Sequence, residues 1–244
     1  MNKPLGHKSY GTIAHLPGSR QGRDDIGINP GHARICLEKP RDKHDRIIVQ
    51  EKLDGSNVAV ANIEGKIVAL GRSGHTAWSS KYEQHRLFAW WVDRNPDRFD
   101  FLNPGERLCG EWIALAHGTI YADVTEPFYA FDIMRNGHVR ACYGELVERV
   151  NGRVPIPTSF NNGTPIPIKM ALVLLGDRGH HGATESIEGA VWRVERSNTE
   201  TVDYLAKYVQ PGKVDGKYLP EVSDKPAVWN WLPKDGWKDL GVTP

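Results

Sequence analysis

Apolar positions fall in short runs separated by turn-forming pairs. Ile47-Ile48-Val49 opens a strand pattern that runs to Lys52, and Asp54-Gly55-Ser56-Asn57 has the chemistry of a turn. Val58-Ala59-Val60 resumes extended structure, Glu64-Gly65 turns again, and 66–70 is a further strand, so the segment reads as a β-meander. The period changes over 79–94, where Leu87, Trp90 and Trp91 stand at i, i+3 and i+4 ahead of an Asn95-Pro96 stop; this spacing predicts a helix with both tryptophans on its core face. Strand patterns return at 107–115, 127–134 and 138–142, the last after an Asn136-Gly137 turn. Short helices are expected at 144–150 and 167–175, then strands at 187–195 and 202–209.

The two ends read differently. Residues 1–45 are rich in Gly, Pro, Arg, Lys and His with weak periodicity, which predicts an extended, loop-rich lead-in with room for one short strand. The tail from 220 carries Trp229, Trp231 and Trp237 between prolines and should pack back on the body, because exposed indoles cost solubility. The pattern as a whole predicts an α+β fold, mostly antiparallel strands with a few helices laid against them. No GxGxxG or GxxxxGK[ST] occurs, so neither a Rossmann site nor a P-loop is supported.

Composition narrows this picture without redirecting it. The chain has 244 residues, 39% hydrophobic and 25% charged, as expected of one large domain with a packed core. Lys plus Arg total 31 against 30 Asp plus Glu, which excludes a grossly basic nucleic-acid coat or an acidic tail protein but leaves room for a locally basic groove. Cys36, Cys109 and Cys142 are far apart with no CxxC, which fits three buried thiols in a reducing compartment. No apolar run is long enough to span a bilayer and the first residues lack the apolar region of a secretory signal, so a cytoplasmic protein is expected.

Several residues carry chemistry. Lys52 ends an apolar strand just before a tight turn. A lysine so tethered, and desolvated or set beside another cation, loses its proton more easily and becomes a nucleophile; an isolated lysine at a strand end is ordinarily just solvated. Glu111, Glu188 and Lys207 interrupt apolar strands, where a charge needs a partner, a ligand or a solvent-facing position. Arg72 sits in a Gly-Arg-Ser-Gly turn suited to close approach by a phosphate or sugar. His180-His181 has no third ligand at metal-site spacing and reads as a loop pair. The basic cluster at 34–46 reads equally as an RNA phosphate contact or a solvated loop.

These residues lie in an ordered set of boxes. EKLDGSN at 51–57 resembles the KxDG motif of the covalent nucleotidyltransferases, which comprise ATP-dependent DNA ligases, RNA ligases and mRNA capping enzymes. GRSGH at 71–75, GEWIALAHGTIY at 110–121, FYAFDIM at 128–134, EGAVWR at 188–193 and YLAKYV at 204–209 resemble that superfamily's further boxes, in order. The Gly-Ser-Asn after Lys-x-Asp, the GEW and the FYAFDI are most similar to the nick-sealing branch of the ATP-dependent RNA ligases, which includes the RNA-editing ligases.

The resemblance implies an α+β nucleotidyltransferase core, ATP-grasp-like, of antiparallel sheets flanked by helices. It divides the chain into a basic lead-in packed on the core (1–45), an adenylyltransferase domain (46–219) and a Trp-rich tail (220–244). Lys52 would attack the α-phosphate of ATP, giving a lysyl-AMP intermediate. Glu51 and the backbone near it would recognise adenine, and Phe131 and Val191 would sandwich the base. Arg72 and Glu111 would hold the ribose. Asn57 would hold water in a metal shell or organise the strand end. Glu188 and Glu111 would serve Mg²⁺, or Mn²⁺ in its place. Arg193 and Lys207 would neutralise phosphate charge. The substrate implied is RNA with 5′-phosphate and 3′-hydroxyl ends, in a nicked duplex, with DNA or a hybrid as other acceptors.

The sequence departs from the pattern in two places. Relatives often carry Lys-x-Lys in the last box, whereas Leu205 here precedes Lys207 and leaves Arg193, Lys213 or Lys217 to compensate. The stretch after Lys207 is too short for an OB domain or a C-terminal helical domain, which implies a weak independent grip on a nick and leaves a role for a helper protein. The competing readings are a minimal DNA ligase, a guanylyltransferase using GTP, and a non-catalytic nucleic-acid-binding relative. The joint presence of Lys52, Glu111 and Glu188 argues against a decayed site.

Overall fold

The computed structural model describes residues 3–135, 137–235 and 240. Its strands, in chain order, are β1 (Ala14–His15), β2 (Asp45–Lys52), β3 (Ser56–Ile63), β4 (Lys66–Gly71), β5 (Arg107–Trp112), β6 (Phe128–Arg135), β7 (Val139–Arg140), β8 (Ser159–Gly163), β9 (Gly189–Arg196) and β10 (Thr201–Val209). The helices are α1 (Pro30–Leu37), α2 (Glu83–Arg94), α3 (Tyr143–Val150), α4 (Ile168–Leu175) and the short α5 (Pro220–Ser223). The strands form two sheets, ordered β1-β10-β9-β2-β8 and β4-β3-β5-β6-β7. All pairings are antiparallel except β1 with β10. This is the mixed α+β architecture expected from the patterning.

In β2 the run Ile47-Ile48-Val49 does not alternate with polar residues because both faces of the strand are covered. Ile47 and Val49 enter a core with Trp192, Leu175 of α4 and Cys36 of α1, while Gln50 and Lys52 on the alternate face line a cavity. The chain then crosses from one sheet to the other within 53–55. Gly55 permits the crossing, since a Cβ there would sit 2.4 Å from the Trp112 carbonyl oxygen. The second sheet packs on α2 through an aromatic cluster. Phe88 lies 5.2 Å and Trp91 5.7 Å, centroid to centroid, from Trp112, and both Trp90 and Trp91 are buried. Removing the Trp112 ring would cost about 3–5 kcal/mol.

The lead-in holds more structure than its weak periodicity predicts. It contributes β1 and also α1, whose N-cap Asn29 accepts a hydrogen bond from the His32 amide with Pro30 in the first turn. The Asn-Pro start signal was present, but an eight-residue helix is too short for periodicity to reveal. β8, Ser-Phe-Asn-Asn-Gly, was not anticipated either; it is a polar edge strand whose register shifts opposite Val49 and Gln50. Cys36 and Cys109 are buried, whereas Cys142 is only half-buried, at the N-cap of α3.

The tail returns to the body. Trp231 meets Trp112 edge-on at 5.9 Å, and Asn230 accepts a hydrogen bond from the Tyr121 amide and donates to the Ile113 carbonyl. Trp237 lies outside the described residues. Among the described residues, no helix is long and apolar enough to cross a membrane.

Candidate active site

A cavity of about 850 Å³ opens between the two sheets. One wall carries Lys52 from β2, Val191 from β9 and Lys207 from β10; the other carries Asn57 from β3, Glu111 from β5 and Phe131 from β6. Segments more than 150 residues apart in sequence thus meet at one cleft because each lies on an inward strand face.

Lys52 is the centre of charge. Its Nζ donates to Glu188 Oε2 at 2.6 Å. The register sets Lys52 opposite Gly189, so Glu188 stands one residue before β9, beside the lysine. Burial by itself would lower the lysine's pKa, but Glu188, Glu111 and Asp54 outweigh it and hold the ammonium above its ordinary value. This corrects the expectation of a lysine already depressed toward neutrality. The neighbouring acids carry the complementary shift. Burial pushes Glu188 up to about 7 and Glu111 up to about 8, with the Lys52 ammonium opposing both.

The turn behind Lys52 is held by hydrogen bonds to the 110–121 segment. Asp54 Oδ2 accepts from the Gly118 amide and the Thr119 hydroxyl, each at 3.0 Å, and the Asp54 amide donates to the Tyr121 hydroxyl at 2.9 Å. The Gly55 amide donates to Glu111 Oε1 at 3.1 Å. The 110–121 box thus supplies the polar partners of the Lys-x-Asp-Gly box.

Phe131 and Val191 both line the cavity, one from each sheet, so an aromatic and an aliphatic surface are available to a planar group. Phe131 is braced edge-on by Tyr10 of the lead-in at 5.1 Å, and the Tyr10 hydroxyl donates to Asp132 Oδ2 at 2.5 Å. Arg72 is exposed on the cavity wall, with Nη2 3.4 Å from the Gly11 carbonyl. Asn57 lines the cavity with its Oδ1 buried and unpartnered by protein groups. Lys207 Nζ lies 3.4 Å from Asp25 Oδ1, and burial together with Lys52 lowers its pKa against the pull of Asp25.

Three expectations require correction. The Glu51 carboxylate turns away from the cavity to the 179–181 loop, accepting from the His180 amide at 2.7 Å. Gly179, at positive φ, is required there, because a Cβ would lie 2.2 Å from Glu51 Oε1. Only the backbone of Glu51 can serve a ligand in the cavity. Arg193 is no free phosphate ligand. Its guanidinium, 2% exposed, is ion-paired to Asp132 and donates to the Phe131 carbonyl at 2.9 Å, because β9 places it between the sheets. Lys213 and Lys217 do not replace the lysine missing at Leu205. Lys213 Nζ is tied to the Gly118 and Ser186 carbonyls and the Thr119 hydroxyl, and Lys217 pairs with Glu185.

His180 and His181 are structural. His181 Nε2 accepts from the Thr158 amide at 3.0 Å, and burial lowers its pKa to about 4. In the basic cluster, Arg41 pairs with Asp45 and Asp203, and Arg34 lies 3.9 Å from Glu38. Sequence reasoning missed Tyr10, Asp25 and Asp132. Each lies far in sequence from the residue it supports; only Asp132 carried a local signal, as a charge within the FYAFDIM strand.

A family model described as RNA ligase matches residues 45–209. No curated protein matches the chain. Among solved structures, an archaeal ATP-dependent RNA ligase aligns at 18% identity and a TM-score of 0.51, covering 82% of this chain and 48% of that one. An RNA ligase of Naegleria gruberi, as an apo mutant, aligns at 17% identity and a TM-score of 0.50, covering 89% of this chain and 60% of that one. A second Naegleria mutant, solved with ATP and Mn, aligns at 18% identity and a TM-score of 0.50, covering 83% and 60%. The present chain thus spans 48–60% of the length of these structures, and what they share with it is the fold. The region covered by the family model runs from the first residue of β2 to the last of β10 and holds Lys52, Glu111, Phe131, Glu188 and Lys207, so the chain belongs to the RNA ligase family.

Proposed function

We propose that this chain is the catalytic core of an ATP-dependent RNA ligase that joins 5′-phosphate and 3′-hydroxyl ends. The observation that carries the reading is Lys52, paired at 2.6 Å with Glu188 in the wall of a cleft whose other walls offer Phe131, Val191 and Lys207. The solved relative with ATP and Mn supports ATP and a divalent cation as ligands of this cleft.

In the first step the Lys52 ammonium gives its proton to Glu188, the carboxylate in contact with it at 2.6 Å. The neutral amine bonds to the α-phosphorus of ATP as the bond from that phosphorus to the β-bridging oxygen breaks, and pyrophosphate leaves with the electron pair. Lys207 offsets charge on the phosphate oxygens. Phe131 and Val191 hold the base, while Arg72 and Glu111 hold the ribose. In the second step AMP passes from Lys52 to an RNA 5′-phosphate. In the third, a 3′-hydroxyl attacks that phosphate, forming the phosphodiester and releasing AMP.

Mg²⁺ or Mn²⁺ fits the donors present. Hard cations of this kind bind polyphosphate oxygens and water with only one or two carboxylates, and the buried, unpartnered Asn57 Oδ1 beside Glu111 is a further oxygen donor. Glu111 and Asn57 would hold the cation, with Glu188 kept for the lysine's proton, and its charge would stabilise the leaving pyrophosphate.

Sealing of end-labelled RNA and DNA strands, nicked or single-stranded, with ATP or GTP tests the reading. Joining of RNA ends with ATP is expected, most efficiently at a nick in a duplex. Joining of DNA alone, or only with GTP, contradicts it.

A further inference from the structure

Lys207 is held by residues outside the region that the family model covers. His15 on β1 pairs in register with Lys207 on β10. Its imidazole is 2% exposed, with Nδ1 2.7 Å from Ser19 Oγ, and Ser19 Oγ in turn accepts from the Val209 amide at 2.9 Å. His15 Nε2 lies 3.2 Å from Asp25 Oδ1. The same carboxylate oxygen lies 3.4 Å from Lys207 Nζ, and Asp25 Oδ2 accepts from the Gly22 amide at 2.9 Å. The segment is closed on itself as well: the His15 amide donates to the Ile26 carbonyl and the Ile28 amide donates to the His15 carbonyl, each at 2.8 Å. Asp25 is therefore delivered to Lys207 by a loop tied at both ends.

Charge gives this arrangement a purpose. Two lysines, Lys52 and Lys207, share one cavity and repel each other. Glu188 is engaged by Lys52 at 2.6 Å. Asp25 supplies a second anion, so each ammonium has its own counter-charge and Glu188 stays with the nucleophile. β10 bears no other cation, because Leu205 fills the neighbouring position on the same face, and the orientation of Lys207 rests on this contact. Burial works to raise Asp25, but the Gly22 amide, Lys207 and His15 outweigh it and hold its pKa down to about 2, so the carboxylate stays ionised. Burial, with Lys207 beside it, keeps His15 below its ordinary value against the pull of Asp25.

We propose that Asp25, oriented by His15, is the positioning residue for Lys207, and that residues 14–28 form a clamp setting where that lysine meets the phosphates. The catalytic half of this inference rests on the adenylylation reading above; the contact itself does not.

Two readouts on the full chain test it. In the nucleotide-free protein, acylation of Lys207 by an amine-reactive probe, followed by peptide mapping, should be several-fold faster in Asp25→Asn, because the ammonium loses the anion that shields and protonates it. In ATP-dependent formation of lysyl-AMP, Asp25→Asn should slow the rate at saturating ATP about tenfold. The same substitution in a Lys207→Ala background should add less than about twofold, since a residue acting through Lys207 has nothing left to act on. Asp25→Glu should restore most of both properties. His15→Gln, which disturbs Asp25 without removing it, should shift both in the same direction by less, and it carries the test if Asp25→Asn fails to fold. Unchanged Lys207 acylation, or losses that multiply in the double variant, would overturn the proposal. If the parent forms no lysyl-AMP while the acylation result holds, the function assigned above fails and the clamp stands.

Discussion

Lys52 and Glu188 are 136 residues apart in sequence, yet Nζ and Oε2 are 2.6 Å apart. The antiparallel pairing of β2 with β9 fixes this, since Lys52 lies opposite Gly189 and the preceding residue must flank the lysine. The pair stores the nucleophile as an ammonium and places its proton acceptor in contact. Glu188→Gln keeps the shape and removes the acceptor. Lysyl-AMP formation should slow by about two to three orders of magnitude, the range typical of losing a positioned acid–base group. The melting temperature should fall, because the largely buried Lys52 ammonium loses its paired anion. Single-turnover labelling and thermal melts on the same protein check both halves.

The Glu51 carboxyl, fully buried against the 179–181 loop, is pushed up to about 7 by burial, with the His180 amide opposing. A carboxyl whose folded pKa lies above its ordinary value stabilises the fold while protonated. That contribution is complete below the ordinary pKa and is lost as pH rises through about 7. Glu51→Gln has no proton to lose, so the variant should become more stable than the parent by about 2–3 kcal/mol on going from pH 5 to pH 8. Urea unfolding across that range reads the difference; parallel curves would mean that the carboxyl is not held protonated.

A methyl group at Gly189 would sit 1.9 Å from the Tyr208 carbonyl oxygen, a backbone atom with no room to yield. Gly189→Ala should cost about 2–4 kcal/mol and separate β9 from β10, displacing Glu188 and Lys207 together. Denaturant midpoints give the first effect, and reduced labelling of protein that remains folded gives the second.

Asp132 holds Arg193 between the sheets and also accepts from Tyr10 and Arg140. Asp132→Ala leaves a buried guanidinium without its anion, and about 3–5 kcal/mol should be lost. A double variant, Asp132→Ala with Arg193→Met, should recover part of that loss, as measured by urea unfolding. No recovery would mean that Arg193 is not the group left uncompensated.

What could be read in advance follows from physical range. The strands of the two sheets and α2 were legible because period-2 and period-3.6 patterns are local, and Lys52, Glu111 and Glu188 were legible because a charge inside an apolar strand is conspicuous. The chain gave no such sign for β8, a polar edge strand, and an eight-residue α1 was too short to show a period. The role of Arg193 was misread because the motif fixes the residue type at its position but says nothing of Asp132, 61 residues away, which neutralises it. Asp25 was invisible for the same reason: its meaning arises only when the lead-in folds back onto β10.

The central claim is that Lys52 carries AMP. The most direct measurement is to incubate the protein with α-labelled ATP and a divalent cation, denature it, digest it and locate the label by peptide mapping. The account predicts one AMP per chain on the Lys52 amine, acid-labile as a phosphoramidate, and no label in Lys52→Ala or in Lys52→Arg, whose guanidinium stays protonated. Label on another residue, or label that persists in Lys52→Ala, would contradict it.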